Sequence, residues 1–309
     1  MRILFQTADP TNQDAWLHDL RAALPHAEIR IWQSGDTAPA DYAIVWKPPF
    51  EMLQGRPDLK AVFNLGAGVD AILKLNVVPD HLPLVRIDDG GMAVQMAEFA
   101  THAVLRYYRR LDQYERQARL GQWKPLPPFE RADFGIGVLG LGVLGQCICE
   151  SLQHFGFQVS GWSRSPKALP GVKAYAGSEQ LDQFLRGARV LICMLPLTPD
   201  TAGILNRETL SHLPRGAYLV NLARGGHLVE ADLPPLLDSG QIAGATLDVF
   251  QEEPLPPHHP FWQDPRIAIT PHISALTVRS EAARQIAEKI VALQRGEPVV
   301  GLVDRSKGY

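Results

Sequence analysis

The stretch FGIGVLGLGVLGQCICESLQHFG, residues 134–156, decides the fold of this chain. An apolar run leads into three glycines spaced G-x-G-x-x-G, and a segment with helical periodicity follows at once. Gly140 allows a tight turn, Gly142 lets backbone approach a pyrophosphate, and Gly145 lets a helix pack closely on a strand. The helix N-terminus would then face phosphates, so the stretch predicts a Rossmann dinucleotide-binding unit. The intervening residues are also expected to contact the cofactor: Leu141, Val143 and Leu144.

The segment VSGWSRSPK, residues 159–167, lies where such units usually carry a carboxylate for the ribose 2′-OH, about 20 residues past the glycines. Here Ser163 and Arg164 stand instead. A carboxylate would repel a 2′-phosphate, whereas hydroxyls and cations would hold it, so NADPH is predicted over NADH. The alternative is a basic turn that is merely exposed to solvent. The predicted contacts of this turn are Trp162, Ser163, Arg164, Ser165 and Lys167.

Short runs rich in Val, Ile and Leu alternate with helical patterns in two blocks, which is typical of parallel sheets covered by helices on both faces. Five runs are predicted strands of the first block: RILFQT (2–7), EIRIW (28–32), YAIVWK (42–47), AVFNLG (61–66) and LPLVRI (82–87). Six are predicted strands of the second: FGIGVLG (134–140), QVSGW (158–162), VLICML (190–195), AYLVNLA (217–223), ATLDVF (245–250) and IAITP (267–271). The predicted fold class is α/β, with two doubly wound parallel-sheet domains.

The connections between the blocks define the domain organisation. Apolar residues recur at helical spacing over about residues 92–120 and predict one long connecting helix. A last helical segment, 274–294, is expected to return the chain to the first domain. A Rossmann NADP-binding domain, 96–277, would thus be inserted into a flavodoxin-like substrate-binding domain, 1–95 plus 278–309.

The composition excludes several classes of protein. With 46% hydrophobic and 20% charged residues, the chain is typical of a soluble globular protein. Its 30 basic and 33 acidic residues give a net charge of -3 without a block of like charge, which argues against nucleic acid or a membrane surface as a partner. The N-terminus lacks the apolar core of a signal peptide, and the most apolar window, 134–149, is too short to span a bilayer.

Cysteine and histidine placement gives no sign of a metal site. Cys147, Cys149 and Cys193 lie in apolar stretches without paired spacing, so we expect reduced thiols in a cytoplasmic protein. His258 and His259 are adjacent in a proline-rich loop without a spaced third ligand, so we expect no metal there.

Three later segments place polar residues at predicted strand ends, where ligands bind in such sheets. They are VNLARGGHLVEAD (220–232), ATLDVFQEEPLP (245–256) and AITPHISALT (268–277). Three more complete the pattern: NLGAGVD (64–70), DGGMAVQMAEF (89–99) and LPLTPDTAGILN (195–206). In this order, and with the glycine fingerprint, they resemble the D-isomer-specific 2-hydroxyacid dehydrogenase family, and within it the glyoxylate/hydroxypyruvate reductase A-like branch.

The resemblance places the family's catalytic trio on Arg224, Glu253 and His272. Reduction of a 2-keto acid needs a proton on the carbonyl oxygen, and an imidazole, which titrates near neutral pH, suits that general acid. Glu253 would favour the imidazolium, and the planar fork of Arg224 would span the substrate's carboxylate and keto oxygen. Taken singly, each has a plainer explanation: a packed histidine, a surface ion pair and an acidic turn.

The resemblance also implies the other contacts. A glycine-containing turn is a suitable anion nest, so the backbone amides of Ala67 and Gly68 would hold the substrate carboxylate. Trp46 and Lys47 would wall the substrate pocket. The remaining expected cofactor contacts are Pro196, Leu197 and Asp248, the last beside the nicotinamide amide.

The sequence thus predicts an NADPH-dependent reductase of small 2-keto acids, glyoxylate and hydroxypyruvate first, working in a cleft between two domains. Two alternatives stay open: a reductase of larger keto acids such as phenylpyruvate, and a non-catalytic dinucleotide-sensing interaction protein. Because relatives dimerise through the long-helix region, a homodimer through about residues 92–127 is expected. Pro234 and Pro235 fall where a helix is expected, so that helix must start late or kink.

Overall fold

The apolar runs of the sequence form two parallel sheets in a computed structural model that describes all 309 residues. The chain divides into two units: unit 1 is Met1–Met92 with Leu276–Tyr309, and unit 2 is Ala93–Ala275. Unit 2 is therefore an insertion in the sequence of unit 1. The predicted fold class, two doubly wound parallel-sheet domains with one inserted into the other, is confirmed.

The sheet of unit 1 contains all five predicted strands: β1 (Arg2–Thr7), β2 (Glu28–Ile31), β3 (Tyr42–Trp46), β4 (Ala61–Asn64) and β5 (Leu84–Arg86). Their order is β2-β1-β3-β4-β5, which is the flavodoxin-like order. Every neighbouring pair is parallel, so all five carboxyl ends lie at one edge.

The sheet of unit 2 has seven parallel strands: β6 (Ile136–Leu139), β7 (Val159–Ser163), β8 (Lys173–Ala176), β9 (Val190–Cys193), β10 (Ala217–Asn221), β11 (Ile242–Leu247) and β12 (Ile267–Ile269). In the order β12-β11-β10-β9-β6-β7-β8, the direction of winding reverses between β6 and β9. The glycine turn follows β6 at this switch point, where doubly wound sheets bind ligands. The sequence does not predict β8, an edge strand whose first two residues are exposed.

Ten helices accompany the strands: α1 (Gln13–Ala23), α2 (Phe50–Leu53), α3 (Asp70–Leu75), α4 (Met92–Tyr108), α5 (Leu111–Arg119), α6 (Val143–His154), α7 (Leu181–Arg186), α8 (Arg207–Ser211), α9 (Leu233–Asp238) and α10 (Arg279–Gln294). None of them combines the length and apolarity that a membrane crossing requires. Helix α9 holds Pro234 and Pro235 in its first turn, where a missing N–H removes no intrahelical bond.

The prediction of one long helix over 92–120 is wrong, because α4 and α5 are separate helices. Between them Arg110 adopts the left-handed conformation, with φ of 57°. Its guanidinium carbon lies 4.2 Å from the ring centroid of Phe129, and this cation–π contact is favourable in energy. Neither glycine nor proline stands at the break, and the apolar periodicity continues across it. The sequence therefore gives no local signal that the helix ends there.

Core packing follows the alternation of side chains along the strands of unit 2. Ile136 and Val138 of β6 point to one face of the sheet and pack in a cluster with Ile148 of α6. Leu139 points to the other face and joins the cluster around Phe184. The central strands β6 and β9 are apolar and buried along their whole length, and the functional groups lie beyond the carboxyl ends of the strands.

Candidate active site

The predicted catalytic trio lies at the carboxyl ends of three adjacent strands of unit 2. Arg224 follows β10, Glu253 follows β11 and His272 follows β12, and these strands are neighbours in the sheet. The loops of Arg224 and Glu253 pack on each other: a side chain at Gly225 would collide with the backbone of Phe250. Glycine next to the arginine is therefore required for this close approach.

The imidazole of His272 is paired with the carboxylate of Glu253. Nδ1 of His272 lies 2.8 Å from Oε2 of Glu253, while Oε1 accepts a 3.1 Å hydrogen bond from the Phe250 amide. The side chains remain 45% and 36% exposed, respectively, so a small molecule can reach them. Because Glu253 engages Nδ1, Nε2 is the ring nitrogen that can face a substrate.

Asp248 anchors the loop that carries His272. Its Oδ1 accepts hydrogen bonds from the Thr270 hydroxyl (2.6 Å) and the Ile273 amide (2.9 Å), and Oδ2 accepts one from the Ser274 amide (2.8 Å). These bonds hold His272 in a left-handed conformation with φ of 55°, which is unfavourable for a residue with a side chain. The sequence points only to a cofactor contact for Asp248. That contact stays a prediction, whereas the anchoring role is a finding about this fully buried carboxylate.

The loop of Arg224 is held by two buried polar side chains. The carbonyl of Arg224 accepts a hydrogen bond from Asn221 Nδ2 (3.0 Å) and lies 3.1 Å from Nδ1 of His227. Nε2 of His227 lies 3.2 Å from the carbonyl oxygen of Pro196. This fully buried ring therefore connects the loop of Arg224 to the loop of Pro196, a predicted cofactor contact. Sequence reasoning missed His227, although a histidine three residues after the arginine was a visible signal.

The glycine turn fits a dinucleotide phosphate group. Gly140 has φ of 101°, and a Cβ there would lie 2.7 Å from the carbonyl oxygen of Met194, so only glycine is tolerated. A Cβ at Gly142 would point into open space, while one at Gly145 would strike the Gly140 carbonyl. Helix α6 begins after Gly142 without a side-chain cap, which leaves the amides of its first turn for an anion.

The apolar residues predicted to contact the cofactor near the glycine turn differ in burial. Leu141 is buried, where it would block a side chain at Gly161, and Trp162 is buried with its indole N–H donating to the Gly177 carbonyl (2.8 Å). Both side chains thus belong to the core. Val143 is exposed, whereas Leu144 is half-buried and packs against the cluster that contains Ile148.

The basic turn after β7 presents three of its four polar predicted residues to solvent. The Ser163 hydroxyl is buried and donates to the Ser165 carbonyl (2.8 Å), so Ser163 shapes the turn. Arg164, Ser165 and Lys167 are exposed. Leu197, in the loop after β9, packs against Gly226 and is half-buried, as is Pro196.

In unit 1, the predicted substrate contacts lie at the carboxyl ends of β3 and β4. Lys47 adopts a left-handed conformation with φ of 47°, and its ammonium lies 5.8 Å from the ring centroid of Trp46. The Trp46 ring covers Gly66 so closely that no side chain would fit there. Ala67 and Gly68 follow in the same loop and are half-exposed.

The cysteines and the paired histidines lie outside this chemistry. Cys149 and Cys193 are buried thiols, and burial raises the pKa of each to about 12, which makes them poor nucleophiles. Cys147 is half-buried rather than buried. His259 lies 3.4 Å from the Glu230 carboxylate.

Comparison with known proteins gives a consistent result. The model of the family described as "D-isomer specific 2-hydroxyacid dehydrogenase, NAD binding domain" matches residues 101–274. The chain is similar to glyoxylate/hydroxypyruvate reductase A from Serratia proteamaculans, with 53% identity over 96% of this chain and 97% of the relative.

Two crystal structures are similar over almost their whole length. A D-isomer specific 2-hydroxyacid dehydrogenase from Xanthobacter autotrophicus, in complex with NADPH and MES, has a TM-score of 0.94 and 44% identity, covering 100% of this chain and 99% of its own. The NADPH-dependent glyoxylate/hydroxypyruvate reductase of Sinorhizobium meliloti, in complex with NADP and sulfate, has a TM-score of 0.93, 37% identity and the same coverage.

Proposed function

Because the chain belongs to the D-isomer-specific 2-hydroxyacid dehydrogenase family, we propose that it is an NADPH-dependent reductase of small 2-keto acids. Glyoxylate, reduced to glycolate, and hydroxypyruvate, reduced to glycerate, are the first substrates to test. The observation that carries the proposal is the 2.8 Å pair of His272 and Glu253, on the same sheet edge as Arg224. An acid with an orienting carboxylate beside an arginine is what carbonyl reduction requires.

The residues of the trio divide the work. A bound NADPH supplies the hydride for C2 of the keto acid. His272 donates the proton to the keto oxygen from Nε2, while Glu253 holds Nδ1 and stabilises the imidazolium. Arg224 spans the substrate's carboxylate and keto oxygen with its guanidinium, which fixes the substrate and stabilises negative charge as it develops on oxygen.

NADPH is the proposed cofactor because the turn after β7 has no carboxylate and presents two cations. Arg164 and Lys167 would bind the 2′-phosphate, and the amides at the start of α6 would bind the pyrophosphate. Two similar crystal structures contain NADPH or NADP. We accordingly propose the NADP-binding role for unit 2 and the substrate-binding role for unit 1, with Trp46, Lys47, Ala67 and Gly68 as substrate contacts.

The two alternatives make different demands on the site. A dinucleotide-sensing protein has no need of an acid held by a carboxylate, so the His272–Glu253 pair favours catalysis. A preference for larger keto acids such as phenylpyruvate is less favoured, because the similar proteins are named for glyoxylate and hydroxypyruvate.

The experiment that tests the function is a panel of keto acids run with NADPH and with NADH. We expect turnover of glyoxylate and hydroxypyruvate, slower turnover of phenylpyruvate, and kcat/KM at least about tenfold higher with NADPH, the value of one charge-assisted hydrogen bond. Equal values for the two cofactors would refute the NADPH assignment. Tight NADPH binding without turnover of any keto acid would instead support the sensor.

A homodimer through residues 92–127 is the proposed assembly. Trp123 is 98% exposed and Leu120 is 70% exposed within this region, and burying these apolar side chains against a second copy would stabilise a dimer. Light scattering should give twice the chain mass of 34.1 kDa, and elution as a monomer would contradict the proposal. We also propose a cytoplasmic location, since the buried free thiols of Cys149 and Cys193 suit a reducing compartment.

A further inference from the structure

The loop after β4 in unit 1, residues 65–68, takes its shape from one buried side chain. Asn64 is 3% exposed at the last position of β4. Its Nδ2 donates to the carbonyl of Gly66 (2.8 Å) and to the carbonyl of Gly68 (2.9 Å). Both N–H groups of one carboxamide are thus used to turn two carbonyls of the loop toward the same point.

This arrangement sets the direction of the loop amides. In a trans peptide, the N–H of a residue points opposite to the preceding carbonyl, so the Gly66 carbonyl bond directs the Ala67 N–H away from Asn64. The peptide that carries the Gly68 N–H lies between the two peptides that Asn64 holds. Its orientation is therefore restricted from both sides.

The rest of the loop leaves these amides available to a ligand. The Leu65 N–H donates to Val45 O (2.9 Å) and fixes the start of the loop, whereas the N–H groups of Ala67 and Gly68 donate to no backbone carbonyl. Both residues are half-exposed, and Trp46 covers Gly66 on the other side. Adjacent amides that share one direction form an anion-binding nest.

We propose that Asn64 is a positioning residue, which holds the amides of Ala67 and Gly68 in the orientation that binds the carboxylate of the 2-keto acid. This inference rests on the proposed function. Asn64 itself does not touch the substrate. Its contribution is to fix the nest before binding, so its loss weakens carboxylate binding more than it slows the chemical step.

The test compares three variants by steady-state kinetics with glyoxylate and NADPH. For Asn64→Ala we expect KM for glyoxylate to rise about tenfold, with kcat within about threefold and KM for NADPH within about twofold. For Asn64→Asp we expect a larger rise in KM, because a carboxylate faces two carbonyl oxygens and also repels the substrate. Val62→Ala, a trimmed core residue of the same strand, controls for destabilisation and should leave KM unchanged.

Oxalate binding to the NADP-bound protein, followed by calorimetry, separates this inference from the proposed function. Oxalate offers a carboxylate but cannot be reduced in this way, so its affinity reports carboxylate binding without the chemical step. We expect about tenfold weaker oxalate binding by Asn64→Ala than by the unchanged chain. Equal affinities, or no oxalate binding by the unchanged chain, would overturn the role of Asn64. Oxalate binding without glyoxylate turnover would overturn the proposed function and leave the oxalate comparison to decide on Asn64.

Discussion

The carboxyl edges of the two sheets carry different kinds of functional group. In unit 2 the groups proposed for the chemical step, and their anchor, are side chains: His272 pairs with Glu253 at 2.8 Å, and Asp248 binds three donors of the loop that carries His272. In unit 1 the groups proposed to hold the substrate carboxylate are the backbone amides of Ala67 and Gly68. Parallel sheets offer the same edge in both units, so the difference lies in which atoms their loops present.

The difference has consequences for mutation. A side chain that does chemistry can be deleted outright, and its contribution to the transition state is then lost. A backbone amide survives substitution of its neighbours, so a variant can only loosen its orientation. Substitutions of the trio and its anchor in unit 2 should therefore reduce turnover strongly, whereas substitutions in unit 1 should weaken binding moderately or affect stability alone.

The largest effect is expected for Arg224→Ala, which removes the group proposed to polarise the keto oxygen. We expect kcat/KM for glyoxylate to fall at least about 100-fold, as for other electrostatic transition-state contacts. Arg207→Ala is the matched control, because Arg207 is an exposed arginine of the same unit, 3.7 Å from Asp232. A loss smaller than threefold in a folded Arg224→Ala variant would contradict the assigned role.

A smaller effect is expected for Asp248→Asn, which tests the anchor of the His272 loop. An amide can accept with only one oxygen, and its NH2 group would face donors that now bind a carboxylate. We expect kcat to fall about 30-fold, equivalent to about 2 kcal/mol of lost orientation. Asp238→Asn, an exposed carboxylate of the same unit, should leave kcat unchanged. Unchanged turnover of Asp248→Asn would show that the loop holds His272 without it.

Arg164, at the same sheet edge, is the side chain proposed to select the cofactor. Arg164→Ala should lower kcat/KM with NADPH about tenfold and leave the value with NADH within about twofold, because only the 2′-phosphate loses a partner. Lys173→Ala is the control. Lys173 is an exposed cation of the neighbouring strand β8, but its register partner is Ser160, near the amino end of β7 and away from the carboxyl edge. An equal loss of kcat/KM with both cofactors would contradict this role and would indicate that Arg164 contributes to folding stability instead.

The sequence predicts best what depends on side-chain chemistry and on glycine. The spacing of Gly140, Gly142 and Gly145 places a turn and a helix start, and the fold shows a steric demand for glycine at Gly140 and Gly145. The ends of strands can also be predicted, since the apolar runs stop where polar residues begin. The trio on β10, β11 and β12 is brought to adjacent strands for that reason. Their roles come from resemblance.

The sequence fails where a residue acts through a distant partner. Arg110, at the helix break, contacts Phe129 nineteen residues away, and Asp248 anchors amides more than twenty residues away. Asn64 orders backbone groups, which carry no sequence signal of their own. The contacts of Arg110 and Asp248 are tertiary, and local sequence patterns do not contain them.

The smallest effect on activity is expected for Lys289→Met in unit 1. This buried ammonium donates to the carbonyls of Arg86 (3.1 Å) and Val300 (2.6 Å) and to Asp88 Oδ1 (2.9 Å). Breaking a buried, fully bonded charge is destabilising, so we expect the melting temperature to fall by about 5 °C with kcat within about twofold. Lys60→Met, at an exposed ion pair of the same unit, should change neither. If Lys289→Met lost turnover without a lower melting temperature, the purely structural role of Lys289 would be contradicted.

The central claim is that the side-chain pair of unit 2 delivers the proton, and His272→Ala tests it most directly. The measurement is the single-turnover rate of NADPH oxidation by excess enzyme with saturating glyoxylate, alongside NADPH affinity. His258→Ala, at an exposed histidine, is the control. We predict a rate at least about 100-fold lower for His272→Ala, with NADPH affinity retained, as expected for loss of a general acid. A near-normal rate in the folded His272→Ala variant would contradict the account.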